Sequence, residues 1–322
     1  MSDVSVVMAV HNGERYVGES LASLLCQSWA GFEAIVVDDG STDGTAEILD
    51  RLSQSDRRIR VVRQDHRGLT PSLNRAVSLA RGEYVARQDA DDHSEPERLA
   101  QQLRFLDAHP AVAAVGTAGW VMDEEGDPVA PLMAPTGSRR VAALLRQARA
   151  TPIHGSMMIR RSAVEAVGGY RDAFRASQDL DLWLRLSERF PIDNLPEGLY
   201  AWRLNSEGVY ATRREEQLKY CGIALAFARE RQRFGDDSCA LLQECAGDLD
   251  AFAKRFRMRG LLHALWGELL FRGLGDPGVA RRELGAALRS GACHPKTIGF
   301  FVWSALGLSW PGRAPLTVQS HG

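Results

Sequence analysis

Lysine is nearly missing from this chain: Lys219, Lys254 and Lys296 are the only three, and arginine carries the remaining positive charge. The 39 basic and 41 acidic residues leave a formal charge of -2, which gives no global field to draw in nucleic acid. Cysteine is sparse as well. Cys26, Cys221, Cys239, Cys245 and Cys293 are scattered without a C-x-x-C pair, which excludes a disulfide framework and a zinc ribbon and fits a reducing compartment. No apolar run reaches the roughly 18–20 residues that a membrane-spanning helix requires. The first strand-like run begins at Val4 without a basic leader, so a cytoplasmic location is expected. Two phosphate-binding signatures are also absent. No G-x-G-x-x-G follows the first strand and no G-x-x-x-x-G-K-[ST] occurs, which disfavours a dinucleotide dehydrogenase and a P-loop enzyme.

What is present, at 322 residues, suffices for one large domain plus an appendage. Strand and helix patterns alternate through the first half. Val4 to Val10 reads as a buried strand and Glu14 to Gln27 as a helix; Ala34 to Val37 is a second strand. Thr42 or Asp43 is placed to cap a helix holding Ile48, Leu49 and Leu52. Ile59 to Val62, Pro71 to Ala80 and Tyr84 to Gln88 continue the series, and Pro96 suits the first turn of the next helix. This repetition predicts an α/β fold, a mainly parallel sheet flanked by helices, with ligands beyond the carboxyl ends of its strands.

Acidic loops lie at that edge: Asp38-Asp39 after the second strand and Asp89-Ala90-Asp91-Asp92 after the fourth. Clustered carboxylates repel one another unless a cation sits between them, and hard oxygen ligands suit Mg²⁺ or Mn²⁺. A solvated acidic turn is the alternative reading. Farther on, Ala111 to Gly116 and Trp120 to Val129 read as a strand and a hairpin, and Pro152 to Arg161 as a strand-like run carrying His154. Gln178 to Arg189 has a strong amphipathic helical pattern in which Trp183 belongs to the core. Beyond about Glu207 the chain becomes helical and arginine-rich, in Gln217 to Arg233, Leu241 to Arg272 and Gly278 to Arg289. Ile298 to Trp310 is apolar and aromatic, too short to span a bilayer but suited to peripheral contact with a membrane or to docking on protein. An unstructured tail is expected from Pro311.

Several separated segments together resemble the family 2 glycosyltransferases, inverting enzymes of the GT-A fold. These are Val4-Ser5-Val6-Val7-Met8-Ala9-Val10-His11-Asn12-Gly13-Glu14, Val37-Asp38-Asp39-Gly40-Ser41-Thr42-Asp43-Gly44-Thr45 and Ala86-Arg87-Gln88-Asp89-Ala90-Asp91-Asp92. They continue with Gly168-Gly169-Tyr170 and Gln178-Asp179-Leu180-Asp181-Leu182-Trp183-Leu184-Arg185. The resemblance implies a GT-A-like catalytic domain over residues 1–210, with nucleotide-sugar binding in about 1–115 and the acceptor side in about 116–210. A helical region over 211–322 follows.

The resemblance also implies roles. Ala9, Val10 and His11 would wall the nucleobase pocket and Asp39 would accept a hydrogen bond from base or ribose. Asn74 and Arg87 would stand on the donor side. The D-x-D motif falls on Asp89 and Asp91, with Asp91 on Mg²⁺ or Mn²⁺ and Asp89 on the ribose or a metal-bound water. Asp92 would be a further ligand or open the next helix. Asp179 would be the general base, with Asp181 as the fallback; His154, Gln178 and Arg203 would face the acceptor. Partners would be a nucleotide sugar, most commonly UDP-linked, and a glycan, lipid-linked or small-molecule acceptor in surface polysaccharide or glycolipid synthesis; no nucleic acid is expected. The implied location is cytoplasmic, at the inner face of the cell membrane if the Ile298 to Trp310 stretch makes contact there. Departures from the family pattern are His11 in place of tyrosine, Gln178 in place of glutamate, Leu73 in place of arginine and Asn205 in place of histidine. Gln178 and Leu73 keep a second reading open, a non-catalytic nucleotide-sugar- or glycan-binding protein. A nucleotidyltransferase is disfavoured by the missing glycine-rich basic loop.

Overall fold

The computed structural model describes residues 3–149, 151–205, 212–274 and 277–290, together with Thr297 and Phe300. The chain divides into two compact units, residues 1–212 and residues 213–322. The Ile298 to Trp310 stretch, Phe300 apart, and the tail from Pro311 lie outside the described residues.

In the first unit, β1 (Val4–Val10) carries no charged side chain and six of its seven residues are buried. A strand with that composition needs cover on both faces, and parallel pairing in the middle of a sheet supplies it. β1 pairs in parallel with β2 (Phe32–Asp39) and with β4 (Tyr84–Arg87), and β2 pairs in parallel with β3 (Ile59–Gln64). Alternate residues face opposite layers. Val6, Met8 and Val36 pack with Leu21 of α1 (Val17–Leu25), Leu49 of α2 (Thr45–Ser55) and Leu99 of α4 (Arg98–Ala108). Val7, Ile35 and Val37 pack with Ala76 of α3 (Leu69–Leu79). The carboxyl ends of β1, β2 and β4 therefore meet at one edge.

The sheet has nine strands, ordered β3-β2-β1-β4-β8-β6-β9-β5 with β7 on β6. β8 (Met158–Arg160) enters antiparallel between β4 and β6 (Ala114–Met122), and β7 (Pro128–Leu132) forms the expected hairpin on β6. Sequence patterning misses β9 (Ile192–Arg203) and the two-residue β5 (His93–Ser94). Pro196 and Gly198 hide β9 by breaking its pattern. In the fold, its register on β6 jumps from Thr117↔Leu195 to Ala118↔Gly198, so Pro196 and Glu197 bulge out and parallel pairing resumes. The helix after the second strand is capped differently from expectation: its N-cap is Gly44, with no side-chain cap bond.

Among the described residues of the second unit are helices Arg214–Phe234, Cys239–Glu244, Leu249–Arg255, Arg259–Leu274 and Pro277–Arg289. The segment from Leu241 to Arg272 breaks where Asp248 caps a new helix, its Oδ1 accepting from the Ala251 N–H at 2.9 Å. Trp266 is fully buried and its indole N–H donates to the Lys219 carbonyl at 2.8 Å. Among the described residues, no helix is long and apolar enough to cross a membrane.

Candidate active site

Two loops at the sheet edge are stitched together by short polar side chains. Asn12 sits at φ 51°, a left-handed conformation that asparagine tolerates. Its Oδ1 accepts from the Thr42 N–H at 2.8 Å, and its own N–H donates to Ser41 Oγ at 3.0 Å. The Asp39 carboxylate receives Gln64 Nε2 at 2.6 Å and the N–H groups of Arg67 and Gly68 at 2.9 and 2.7 Å. Burial pushes this carboxyl up, but the bonds from Gln64, Arg67, Gly68 and Ser72 outweigh it and hold its pKa below the ordinary range. Asp39 is thus ionised, and it organises the loop after β3. Ala9 is half-buried, Val10 is buried, and His11 projects into solvent. Beside His11 stands His66, with ring centroids 4.0 Å apart and both Nδ1 atoms within 3.1 Å of the Asp39 carbonyl. Sequence reasoning passed over His66. The signal was its position just past β3, at the edge where ligands gather.

The acidic loop after β4 is built on buried charge. Arg87 is 1% exposed; its guanidinium pairs with Asp89 and also meets the carbonyls of Gln88 and Val7. It balances the Asp89 carboxylate from a buried position. Gln88 locks the loop's floor, donating to Ser20 Oγ and the Asp92 carbonyl, each at 3.0 Å, and accepting from Ser94 Oγ at 2.6 Å. Asp92 opens no helix, since α4 starts six residues later. It is buried, with Oδ2 accepting from Tyr200 Oη at 2.7 Å and Oδ1 from the Arg203 N–H at 2.8 Å. Burial, with Asp91 and Asp89 nearby, raises its pKa well above the usual carboxylate range. Tyr200 Oη also accepts the Asp89 N–H at 3.2 Å, so β9 holds both ends of the loop. Gly155 makes room for this: a Cβ there would stand 1.8 Å from Tyr200 Oη and 2.9 Å from Asp89 Oδ2.

Arg203 is the second tie. Its Nε donates to the Asp91 carbonyl at 2.8 Å, Nη1 to the Glu124 carbonyl at 2.9 Å and Nη2 to Glu19 at 2.7 Å, and its guanidinium lies over the Tyr16 ring. Each nitrogen has a partner inside the fold, so Arg203 ties the acidic loop to its neighbours.

The carboxylates suit a divalent cation in unequal ways. Asp89 has its charge compensated by Arg87 and keeps a 30% exposed side chain. Asp91 Oδ2 lies 3.4 Å from the Asn205 amide; burial and then Asp89 raise its pKa, against smaller lowering contributions from Asn205, its own N–H and Arg203. A dication beside Asp91 would relieve that repulsion. Among the described residues, no three His, Cys, Asp or Glu side chains converge into a closed metal cage. That is the arrangement for an ion that takes one or two carboxylates and completes its shell with water and substrate phosphates.

Asp179 enters from another direction, on the first turn of α7 (Gln178–Ser187). Ser177, just before it, is held at φ 52°, a strained conformation for serine that aims the helix start. Burial raises the Asp179 pKa; the Leu180 N–H lowers it, Asp89 raises it and Arg87 lowers it, so Asp179 and the acidic loop share one space. Asp181 differs. It is fully buried, paired with Arg185 at 2.8 Å and Arg171 at 3.4 Å, and is unavailable as a base. Arg185 also donates to the carbonyls of Val167 and Gly169, tying α7 to a turn in which Gly168 and Gly169 take φ 77° and 67°. Asn74 secures the same turn, donating to the Tyr170 carbonyl and Asp172 and accepting the Tyr170 N–H. Both its amide hydrogens serve to hold this turn. His154 lies on a 3₁₀ turn (His154–Ser156), Nε2 2.8 Å from Tyr170 Oη; burial and then Arg87 push its pKa down to about 3, so it is neutral. Gln178 is buried at the α7 start and Trp183 is fully buried in the core.

Residues 5–168, just over half the chain, match the family profile described as Glycosyl transferase family 2. The putative glycosyltransferase EpsE of Bacillus subtilis (strain 168) is 40% identical over 210 residues, covering 63% of this chain and 74% of that protein. The O-antigen biosynthesis glycosyltransferase WbnJ of Escherichia coli is 30% identical over 208 residues, or 63% of this chain and 80% of WbnJ. Among solved structures, TarS 1-349 of S. aureus in complex with UDP-GlcNAc aligns with a TM-score of 0.62 at 17% identity, covering 95% of this chain and 92% of that one. The mannosyltransferase PcManGT of Pyrobaculum calidifontis, in complex with GDP-Man and Mn²⁺, aligns with a TM-score of 0.57 at 21% identity, covering 95% and 84%. Sheet order, helical layers and these likenesses agree on a GT-A-type fold, and the chain belongs to glycosyl transferase family 2.

Proposed function

We propose that this glycosyltransferase transfers a sugar, with inversion, from a nucleotide-diphosphate sugar to an acceptor hydroxyl, with Asp179 as general base. The observation that carries this reading is the contrast within one helical turn. Asp181 is locked in a buried ion pair, whereas Asp179 forms no ion pair among the described residues and has a raised pKa. A raised carboxyl is a better proton acceptor near neutral pH than an ordinary one. The acceptor hydroxyl loses its proton to the Asp179 carboxylate as its oxygen bonds to the anomeric carbon. On the opposite face the bond to the diphosphate breaks, and its electron pair leaves with the nucleoside diphosphate.

Asp91, with Asp89 and Asn205 beside it, would hold Mg²⁺ or Mn²⁺. That ion supplies Lewis-acid stabilisation of the charge growing on the leaving diphosphate. Arg87 fixes Asp89 through their ion pair, and Tyr200 and Arg203 keep the loop from shifting as the donor binds. His11 and His66 offer two neighbouring rings, tilted by 33°, at the edge where a nucleobase would lie. UDP-linked donors are the first choice, and the likeness to the O-antigen biosynthesis glycosyltransferase WbnJ favours a role in surface polysaccharide synthesis.

Asp179→Asn keeps the volume and removes the base. Transfer measured with a UDP-sugar panel should fall by at least about 10²-fold, within the range for a general base. Nucleotide binding by the same variant should be unchanged. Full turnover by Asp179→Asn would remove Asp179 from the reaction.

A further inference from the structure

The second unit contains a cavity that the transfer reaction does not use. It occupies about 690 Å³ and lies wholly within residues 213–322. That volume is in the roughly 300–1,000 Å³ range of small-molecule sites. Four arginines line it: Arg229 and Arg233 from the helix Arg214–Phe234, and Arg257 and Arg259 at the start of the helix Arg259–Leu274. Leu261 and Leu265 supply an apolar wall.

The charge is poorly compensated. Arg257 is paired with Glu230 and Asp236. Glu268, the carboxylate in the lining, pairs with Arg272, which is not part of the lining, and is shared electrostatically with Arg229, so one carboxylate faces more than one guanidinium. Arg229, Arg233 and Arg259 form no salt bridge among the described residues. Arg229 and Arg233 are four residues apart on one helix, a spacing at which like charges repel. Arg259 opens a helix, where a positive side chain opposes the helix dipole. Arg233 and Arg257 both lie against the Phe234 ring, at 5.3 and 4.3 Å, which restricts how they can spread apart. Uncompensated, these positions cost stability; an anion in the cavity reverses the sign of each contribution.

Guanidinium groups are planar forks that match phosphate oxygens two at a time. We propose that this arginine-lined cavity binds a phosphate- or diphosphate-bearing ligand, with the leucine wall accepting an apolar portion. This is a second anion site, independent of the donor site proposed for the first unit.

Its test uses the full chain and inorganic pyrophosphate, titrated calorimetrically with EDTA present so that no metal assists. The double variant Arg229→Gln/Arg259→Gln removes two unpaired charges at exposed helical positions where glutamine is a good helix former. Pyrophosphate should bind the native chain, weaken at least tenfold in the double variant, and bind Asp91→Asn as tightly as the native chain. Equal affinity for the native chain and the double variant, or absence of binding, would overturn the site. Binding lost in Asp91→Asn but kept in the double variant would move the anion to the first unit and overturn it equally. Sedimentation with phosphatidylcholine vesicles, with and without phosphatidic acid, then separates two sources of the phosphate. Capture that needs both phosphatidic acid and the two arginines identifies a lipid headgroup. Pyrophosphate binding without capture identifies a free phosphate ligand. Loss of transfer in Asp179→Asn, read separately, leaves both results intact.

Discussion

Single carboxylates in this protein do different work according to what surrounds them. Asp39 is held low by four donors, Asp92 is raised by burial and locked by Tyr200 and Arg203, and Asp181 is neutralised by Arg185. Asp91, Asp92 and Asp179 are raised carboxyls without an arginine salt bridge among the described residues, and of these Asp92 is bound by the Tyr200 hydroxyl and the Arg203 N–H. Sequence order showed that acids cluster here but could not rank them, because the ranking depends on arginines brought from elsewhere. Arg203 lies 112 residues from Asp91, and its contact depends on a strand that patterning missed. A pH dependence follows for the proposed base. Asp179 acts only when ionised and its pKa is raised, so transfer should be full above that pKa and fall as pH drops through it. A pH-rate profile of kcat/KM should place the acidic limb above the ordinary aspartate range. A limb at the value of a free aspartate, with the native rate otherwise kept, would mean that Asp179 is not the titrating group.

Among the elements, those legible in sequence are the ones whose local pattern agrees with their tertiary position. β1, β2 and β4 are continuous apolar runs because both faces are covered, and α7 shows its core stripe through Leu180, Trp183 and Leu184. β9 was hidden by Pro196 and Gly198, although it carries Tyr200 and Arg203, which fix the acidic loop. Arg87, Asn74 and Arg203, each singled out in the sequence, tie one part of the fold to another. The α7 start depends on such a link. Arg185→Ala would leave Asp181 buried with Arg171 at 3.4 Å and would remove the bonds from α7 to the Gly168-Gly169 turn, leaving Asn74 to hold it. Breaking a buried pair in this way costs about 3–5 kcal/mol, and the remaining Arg171 contact favours the low end. Denaturant unfolding should show a loss of about 3 kcal/mol. A loss below about 1 kcal/mol, the scale of an exposed pair, would show that Arg185 is not holding α7.

At the scale of the molecule, the N-terminal unit converts alternating strands and helices into one sheet edge where carboxylates from separate loops converge. Its fold class could be read from sequence because burial on both faces leaves a plain record in composition. The second unit could be read only as helical and arginine-rich, since neither its breaks nor its cavity follow from periodicity alone. In the function proposed above, Asp91 and Asp89 make the donor site metal-dependent. The most direct test is calorimetric titration of UDP, GDP and dTDP into the full chain with Mn²⁺ and again with chelator, for the native sequence and Asp91→Asn. The account predicts that one nucleotide binds with Mn²⁺ and that binding weakens at least about tenfold with chelator or in Asp91→Asn, a change of about 1.4 kcal/mol. Nucleotide binding of equal strength under all of these conditions would contradict it.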